Sequence, residues 1–512
     1  MPAAAQTATI PQRDRRWLIL AVLGLAQLMV VLDATIVNIA LPTAQHALGF
    51  SNADRQWVVT GYALSFGSLL LLGGRLSDLL GRKRALMIGL AGFAAASAVG
   101  GFSTSFAMLL VARVIQGSFG ALLAPAALAL LTTTFTDPAE RGRAFGIFGA
   151  IAGGGGAVGL LLGGILTSYA SWRWTLFVNL AIGAVAIIGA ALLLTADRAT
   201  KSPHLDMPGV LTATAGLFAL VYGFSHAETT SWGDTYTIAS LVAAAALLCV
   251  FVTIERRVVQ PLLPLRVVLD RTRGGAFVAM FAGGLAMFGT FLFLTYYLQG
   301  TLDYSPVLTG VVYLPMIGGL IAASLVATNI LLPRFGPKFL VAGGMLLAAV
   351  AMFMLTGTGL HSSYVTGILP ALIVFGVGVG FLMASSMNVA TLGLTRDAGI
   401  ASAMVNTTQQ VGGSVGTSLL NTLSASAVAT YVLGHHAAAA STAAVASLEA
   451  QATLHGYHVA FAYAGIFLAT GGVVAGLLFR RGAVAPPVGG PDDTEDTGTE
   501  DTAEREPVLA GV

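Results

Sequence analysis

Charge is what this 512-residue chain has least of: only 9% of its residues are Asp, Glu, Lys or Arg, against about 25% in soluble domains. A soluble domain must cover its surface with polar groups, and too few are present. That excludes an ordinary cytosolic enzyme, a nucleic-acid binder and a disordered scaffold. Cysteine is scarcer still. Cys249 stands alone, so neither an intrachain disulfide nor a cysteine-rich metal cluster can form. Lysine occurs three times, and no Gly-Lys-Ser/Thr follows any glycine run. A phosphate-cradling loop, and with it a nucleotide-driven pump, is thereby disfavoured.

Apolar residues fill the space: 56% of the chain, with a mean hydropathy of +0.83. Sixty-three glycines and eighteen prolines are spread through these apolar runs, as is common in transmembrane helices. A span needs about 20 apolar residues, and fourteen segments qualify: 17–41, 56–75, 85–103, 106–131, 144–168, 174–195, 208–227, 236–254, 275–299, 307–331, 339–358, 366–391, 399–432 and 457–479. The fold class expected is all-α integral membrane. The first segment is too long for a signal peptide, contains Asp33, and is followed by no small-residue cleavage site. No sizeable soluble output domain remains, which argues against a membrane sensor.

Basic residues set the orientation. With the N-terminus inside, the inner loops and ends collect nearly all of them, Arg82, Lys83, Arg84, Arg256 and Arg257 included, while the outer loops hold only Arg55 and Arg173. Cytoplasmic loops carry such an excess, so both termini are expected in the cytoplasm of a cell whose plasma membrane the chain crosses. The tail from Gly482 onward holds eight acids and one base. It contributes −7 to a net charge of +2, leaves +9 on the rest, and has too little apolar surface to offset ordering.

The loop Gly74–Arg84 after the second span and the loop Leu332–Lys338 after the tenth both place a glycine just before basic residues. Spans 1–6 and 9–14 can thus be paired as two six-helix halves, a mark of secondary transporters. The expected organisation is a cytoplasmic segment 1–16, a six-helix bundle 17–195, a linker with two extra helices 196–273, a second six-helix bundle 274–481 and a disordered acidic tail 482–512.

Few ionisable groups fall inside the spans, and Asp33 and Arg113 stand out. Intramembrane charges usually face a cavity or a partner. Asp33 lies eight residues before Leu41, and Arg113 seven after Phe106. At 1.5 Å per residue both sit roughly 10–12 Å below the outer surface, so a direct or water-bridged pair is feasible. The plainer reading is a structural lock between two helices. The functional one is a proton switch, because desolvation and a movable arginine act oppositely on a carboxyl. Arg75 and Asp78 end the second span, either as a solvated anchor or as a charge-linked latch between the halves.

Spans 9–14 hold only neutral polar groups: Tyr296, Tyr297, Gln299, Tyr313, Asn388, Asn406, Gln409 and Gln410. The tyrosines suit an interfacial belt as well as substrate contact. The run Asn406–Gln410 must face protein or water. With Gln27, Asn38 and Gln116 in the first half, residues Tyr296, Tyr313, Asn406, Gln409 and Gln410 are the candidates for lining a substrate cavity. In the fifth span Gly153–Gly156 is followed by Gly159, Gly163 and Gly164, small residues that let helices approach closely.

These motifs resemble the major facilitator superfamily, specifically its fourteen-helix drug:proton antiporter branch. Leu32–Pro42 is similar to that branch's first-helix signature. Gly74–Arg84, with Gly74, Arg75, Asp78, Gly81, Arg82 and Lys83, resembles the superfamily's loop 2–3 motif, read as a conformational latch. Leu110–Gly117 resembles the fourth-helix motif, whose arginine, here Arg113, the family uses in proton coupling with Asp33. The fifth-helix antiporter motif has its glycines at Gly146, Gly155, Gly159, Gly163 and Gly164, but Leu160 occupies the place of the usual proline. The run Asn406–Gly416 resembles the thirteenth helix of actinobacterial members.

The resemblance implies two rocking bundles, alternating access and proton-driven export of lipophilic drugs or antibiotic-type metabolites. It implies a monomer in the lipid bilayer with protons as coupling ion, no cofactor, no metal, no nucleic acid and no enzymatic activity. Relatives that export organic cations carry an extra acid near span 10, and none is visible here. That favours neutral, weakly acidic or singly charged compounds. Twenty-two arginines against three lysines suggest a high-GC bacterial genome, and self-protection in an antibiotic-producing actinobacterium is the expected setting. A proton-coupled importer of the same fold is the competing expectation.

Overall fold

The computed structural model describes residues 12–135, 137–195, 206–258, 261–391, 398–435 and 442–479. Every long element in them is a helix. The first six are α1 (Gln12–Leu48), α2 (Asn52–Leu80), α3 (Arg82–Gly101), α4 (Phe106–Thr134), α5 (Pro138–Tyr169) and α6 (Trp174–Leu193). A pair, α7 (Met207–Thr229) and α8 (Thr235–Glu255), follows, then the short α9 (Leu265–Leu269). The remainder is α10 (Arg271–Tyr296), α11 (Pro306–Val312), α12 (Leu314–Val326), α13 (Leu332–Leu355), α14 (Leu369–Thr391), α15 (Ala398–His435) and α16 (Thr442–Leu478).

Among the described residues, eleven helices are long and apolar enough to cross a membrane, and Trp57–Leu70 and Val158–Tyr169 are shorter apolar stretches. The fold is therefore an all-α integral-membrane one. The remaining three apolar segments read from the sequence fall in α2, α5 and α15, each of which contains positions outside what is described.

Short polar side chains start the helices by accepting the first free N–H groups. Ser51 and Asp54 form a reciprocal capping box at α2, Ser105 caps α4, and Asp234 caps α8. Two turns require glycine. Gly81 joins α2 to α3 at φ +86°, and Gly336 breaks α13 at φ +72° just before Pro337. Both lie in the left-handed region that a Cβ disfavours, and both are the glycines preceding the basic residues of the two similar loops.

Packing sorts the helices. Within α1–α6 the main contacts are α2 with α4, α3 with α4 and α6, and α1 with α5 and α6. Within α10–α16 they are α13 with α14 and α16, α12 with α14, and α10 with α15 and α16. A large apolar core lies in each set. The two sets meet along two seams, α2 against α15 and α5 against α11 and α12. The α7–α8 pair packs together, and α7 touches both α2 and α15.

The second seam is tight at the end of the molecule that bears Ser105. A Cβ on Gly164 would lie 2.6 Å from Pro306 O, and one on Gly310 would lie 2.6 Å from Leu160 O. Backbone meets backbone there only because no side chain intervenes. The Arg55 guanidinium of α2 also lies 3.3 Å from the Tyr296 ring centre of α10, a cation–π contact between the two sets.

Candidate functional site

Asp33 on α1 and Arg113 on α4 meet in the first helix set. Each is wholly enclosed, at 0% and 1% exposure. Arg113 Nη1 donates to Asp33 Oδ2 at 2.5 Å and to Gln116 Oε1 at 2.7 Å. Gln116 Nε2 donates to Asp33 Oδ1 at 2.6 Å and to Ser97 Oγ at 2.6 Å. Asn179 on α6 donates to Asp33 Oδ1 at 2.8 Å and to Ser97 Oγ at 3.2 Å. Arg113 Nε reaches Val58 O at 3.3 Å, and the guanidinium lies 4.3 Å from the Tyr62 ring centre.

Five helices thus converge on one carboxyl: α1 supplies it, and α2, α3, α4 and α6 surround it. The helical period explains the α4 contribution, since residues three apart share a face, and Arg113 and Gln116 are so spaced. Every group aimed at Asp33 is a donor, an arrangement suited to the ionised carboxylate. A protonated Asp33 would need an acceptor in place of one of them. Asn179 Oδ1 and the Tyr62 hydroxyl are buried without a partner, so hydrogen-bonding capacity is held in reserve beside the pair. A small space of about 10 Å³ also touches Arg113, lined by Val37, Val58, Leu109 and Trp172 among others. That is about the room of a single water.

The glycine-patterned helix α5 lies along α1 at this level. A Cβ on Gly155 would press on Leu28 and Val31, on Gly159 on Thr35 and Leu32 O, and on Gly163 on Ile36. Gly155, Gly159 and Gly163 therefore bring α5 against the helix that carries Asp33, while Gly164 faces the other helix set. Leu160, where a proline would kink the helix, is wholly buried, and its carbonyl faces Gly310. Gly146 lies in α5, but its surroundings are outside what is described.

The loop 2–3 residues hold different partners from a direct tie between the halves. Arg75 Nη2 donates to Pro261 O at 2.9 Å, so it grips the segment that follows α8. Lys83 Nζ donates to Ala191 O at 3.1 Å and to Leu194 O. It satisfies the last carbonyls of α6, as basic side chains do at helix C-termini, and stays within the first set. Arg82 begins α3 after the turn at Gly81, and Gly74 faces Pro125 at ordinary contact distance. The Asp78 side chain is outside what is described.

The proposed cavity residues do not form one surface. Gln116 and Tyr313 are wholly buried and engaged elsewhere: Gln116 in the Asp33 network, Tyr313 with Phe291 O and Thr295 at 3.1 Å each. Asn38 is buried and donates to Ala34 O of its own helix, and Tyr296 lies beneath Arg55. Gln27, Asn406, Gln409 and Gln410 are half-buried. Gln410 stands at the α2–α15 seam, where its Cβ is 3.2 Å from the place of a Cβ on Gly67, and its Oε1 is buried without a partner. Thr407 and Ser414, about one turn to either side on α15, likewise bury hydroxyls without partners. Sequence reasoning missed Ser97, Asn179, Tyr62 and Val58. Asn179, a lone amide in an otherwise apolar helix, was the one visible signal.

The family model described as the Major Facilitator Superfamily matches residues 23–417. The chain belongs to that superfamily. This facilitator is 48% identical over 480 residues to the puromycin resistance protein pur8 of Streptomyces alboniger, covering 93% of this chain and 94% of that one. It is 34% identical over 432 residues to the tetracenomycin C resistance and export protein of Streptomyces glaucescens, covering 83% and 79%. It is also 36% identical over 407 residues to the cephamycin export protein CmcT of Amycolatopsis lactamdurans, covering 78% and 83%. In fold it resembles the inward-facing, unoccupied crystal structure of a bacterial homologue of the human lysosomal transporter Spinster. The TM-score is 0.62 at 16% identity, over 91% of this chain and 97% of that one. The superfamily member is a membrane transporter and not an enzyme.

Proposed function

We propose that this transporter exports lipophilic antibiotics or similar drugs from the bacterial cytoplasm in exchange for protons. The observation that carries the reading is the enclosed Asp33–Arg113 pair, one acid and one base held in apolar helices with spare hydrogen-bonding groups beside them. Removing either charge from such a pair leaves the other uncompensated. A pair that must open to take up a proton therefore makes protonation and helix movement one event. The relatives' names as resistance and export proteins support the direction of transport and the class of substrate.

In this reading fourteen spans form two six-helix bundles around the α7–α8 pair, both termini are cytoplasmic, and the protein works as a monomer. The contacts of Gly164 with Pro306, Gly310 with Leu160 and Arg55 with Tyr296 close the outer side. The proton enters when they part. Asp33 takes it as Arg113 turns off the carboxyl while keeping Val58 O and the Tyr62 ring as partners, and releases it inward when the pair re-forms. Gln27, Asn406, Gln409 and Gln410 offer neutral hydrogen bonds to the substrate, which suits an uncharged or singly charged compound. The latch residues around Gly81 and the α5 glycines serve the rocking motion.

Gradient-driven uptake of puromycin into everted membrane vesicles tests this. Wild type should accumulate the drug when the lumen is acidified and release protons from the lumen as it does so, and Asp33→Asn should do neither. Undiminished gradient-driven uptake by the variant would refute the proton role, and proton movement of the opposite sign would favour an importer.

A further inference from the structure

A second pair of acids lies far from Asp33, where the α7–α8 pair joins the rest of the molecule. Asp206 caps α7, with Oδ1 accepting from Gly209 N at 2.9 Å. Glu255 ends α8, is 4% exposed, and its Oε2 accepts from Leu263 N at 2.9 Å. The remaining oxygen of each, Asp206 Oδ2 and Glu255 Oε1, is buried without a partner. They face the same point: a Cβ on Gly209 would strike Asp206 Oδ2 and lie 2.9 Å from Glu255 Oε1.

Two carboxylates so placed cannot both ionise without strong repulsion. Among the described residues, the charged groups on the surrounding elements do not relieve it. Arg75 of α2 is committed to Pro261 O. Arg256 and Arg257 of the same chain turn, and Arg266 of α9, are exposed. Asp270 caps α10 through Arg273 N. The α15 residues packed on this cluster, Ile400, Ala403 and Met404, carry no charge.

We propose that Asp206 and Glu255 hold one proton between them, and that this proton keeps the Pro261–Leu263 segment seated against α2 and the start of α15. Proton sharing turns two repelling oxygens into a hydrogen bond and leaves Glu255 Oε2 free to hold Leu263 N. Leu262 and Leu263 are then buried with Val210 and Phe251, and Pro261 O is presented to Arg75. The α7–α8 pair thereby fastens both helix sets at the end opposite Ser105. Loss of the proton drives the acids apart, releases the Leu263 bond and frees Arg75. The site senses cytoplasmic pH by a route separate from Asp33, and its operation does not depend on the substrate or on the direction of transport.

Cysteine protection in the full chain tests this. Leu262→Cys is built into a Cys249→Ser background, placed in nanodiscs and labelled with a maleimide across a pH series. Leu269→Cys, at a position 72% exposed, corrects for the reactivity of the thiol itself. The corrected labelling of Cys at position 262 should rise about tenfold as the pH is raised, the effect of a one-unit difference in proton affinity between seated and released states. Glu255→Gln, whose amide can donate to Asp206 Oδ2, should remain protected at every pH, and Asp206→Asn should respond no more steeply. Asp33→Asn should keep the wild-type response. A flat wild-type profile, or an unaltered rise in both Glu255→Gln and Asp206→Asn, overturns the proposal. So does exposure of both variants at every pH, which makes the pair a packing element. Restored protection at high pH on adding magnesium or calcium also overturns it, because a cation and not a proton then fills the pair.

Discussion

Gln116 stands one turn beyond Arg113 on α4, and its amide closes a ring around the ion pair. The carbonyl accepts from the guanidinium that also binds Asp33, while the nitrogen donates to the opposite oxygen of the same carboxylate. Neither charge can move without disturbing this side chain. Gln116 therefore belongs with the two charges and not with the walls of a cavity.

Removing one charge should be worse than removing both. Arg113→Met leaves the Asp33 carboxylate enclosed and unpaired, at a cost of about 3–5 kcal/mol. In the Asp33→Asn, Arg113→Met double variant no charge is stranded, and much of that loss should be recovered. Chemical denaturation midpoints of the four proteins in detergent check this, and additive losses would contradict it.

The neutral members of the network should act on proton coupling as well as on stability. Gln116→Leu or Asn179→Leu removes a donor to Asp33 Oδ1 inside an enclosed site. Each should cost about 1–3 kcal/mol and shift the pH dependence of gradient-driven uptake. Ser97→Ala removes only the hydroxyl that receives both amides and should shift it less. The measurement is the pH profile of transport beside the thermal midpoint.

Close approach at the α5–α11 seam should be intolerant of side chains. Gly164→Val and Gly310→Val place carbon against backbone oxygen of the other helix set, which no rotamer change can relieve. Overpacking of this kind costs about 1–3 kcal/mol, and it should weaken closure at that end. Gly343→Ala, where a Cβ meets nothing within 4 Å, is the control. Disulfide trapping between cysteines placed across the seam should fall in the two valine variants and persist in the control.

The α7–α8 turn should loosen in acid. Desolvation opposes ionisation of Asp234, but the N–H groups of Tyr236 and Thr237 and the His226 ring outweigh it and hold the carboxyl below its usual range. A depressed carboxyl contributes stability that is present above its unfolded value and lost as pH falls through the folded one. Hydrogen exchange at the first turn of α8, corrected for the intrinsic rate, should therefore increase at low pH in wild type and be less pH-dependent in Asp234→Asn.

Much of this architecture was legible without coordinates, because lipid makes composition a strict constraint. Long apolar runs must be helices, and the short stretches with a glycine before basic residues mark where two of them join. The level shared by Asp33 and Arg113 followed from the rise per residue along two helices. That reasoning stops at the partners of each helix, because apolarity says that a segment can span and nothing about which neighbour it faces.

The sequence by itself determined the helical membrane class, the two similar glycine-bearing loops and the two rare charges, since each depends on residue type and local spacing. Only the tertiary structure decided the rest. Asn179 reaches Asp33 from a helix distant in sequence, and Ser97 receives the two amides that bind it. Arg75 holds the segment after α8 instead of the opposite half. Asp206 and Glu255 meet although 49 positions apart. Such contacts are set by how helices pack side by side, a relation between segments that no local pattern of residues encodes.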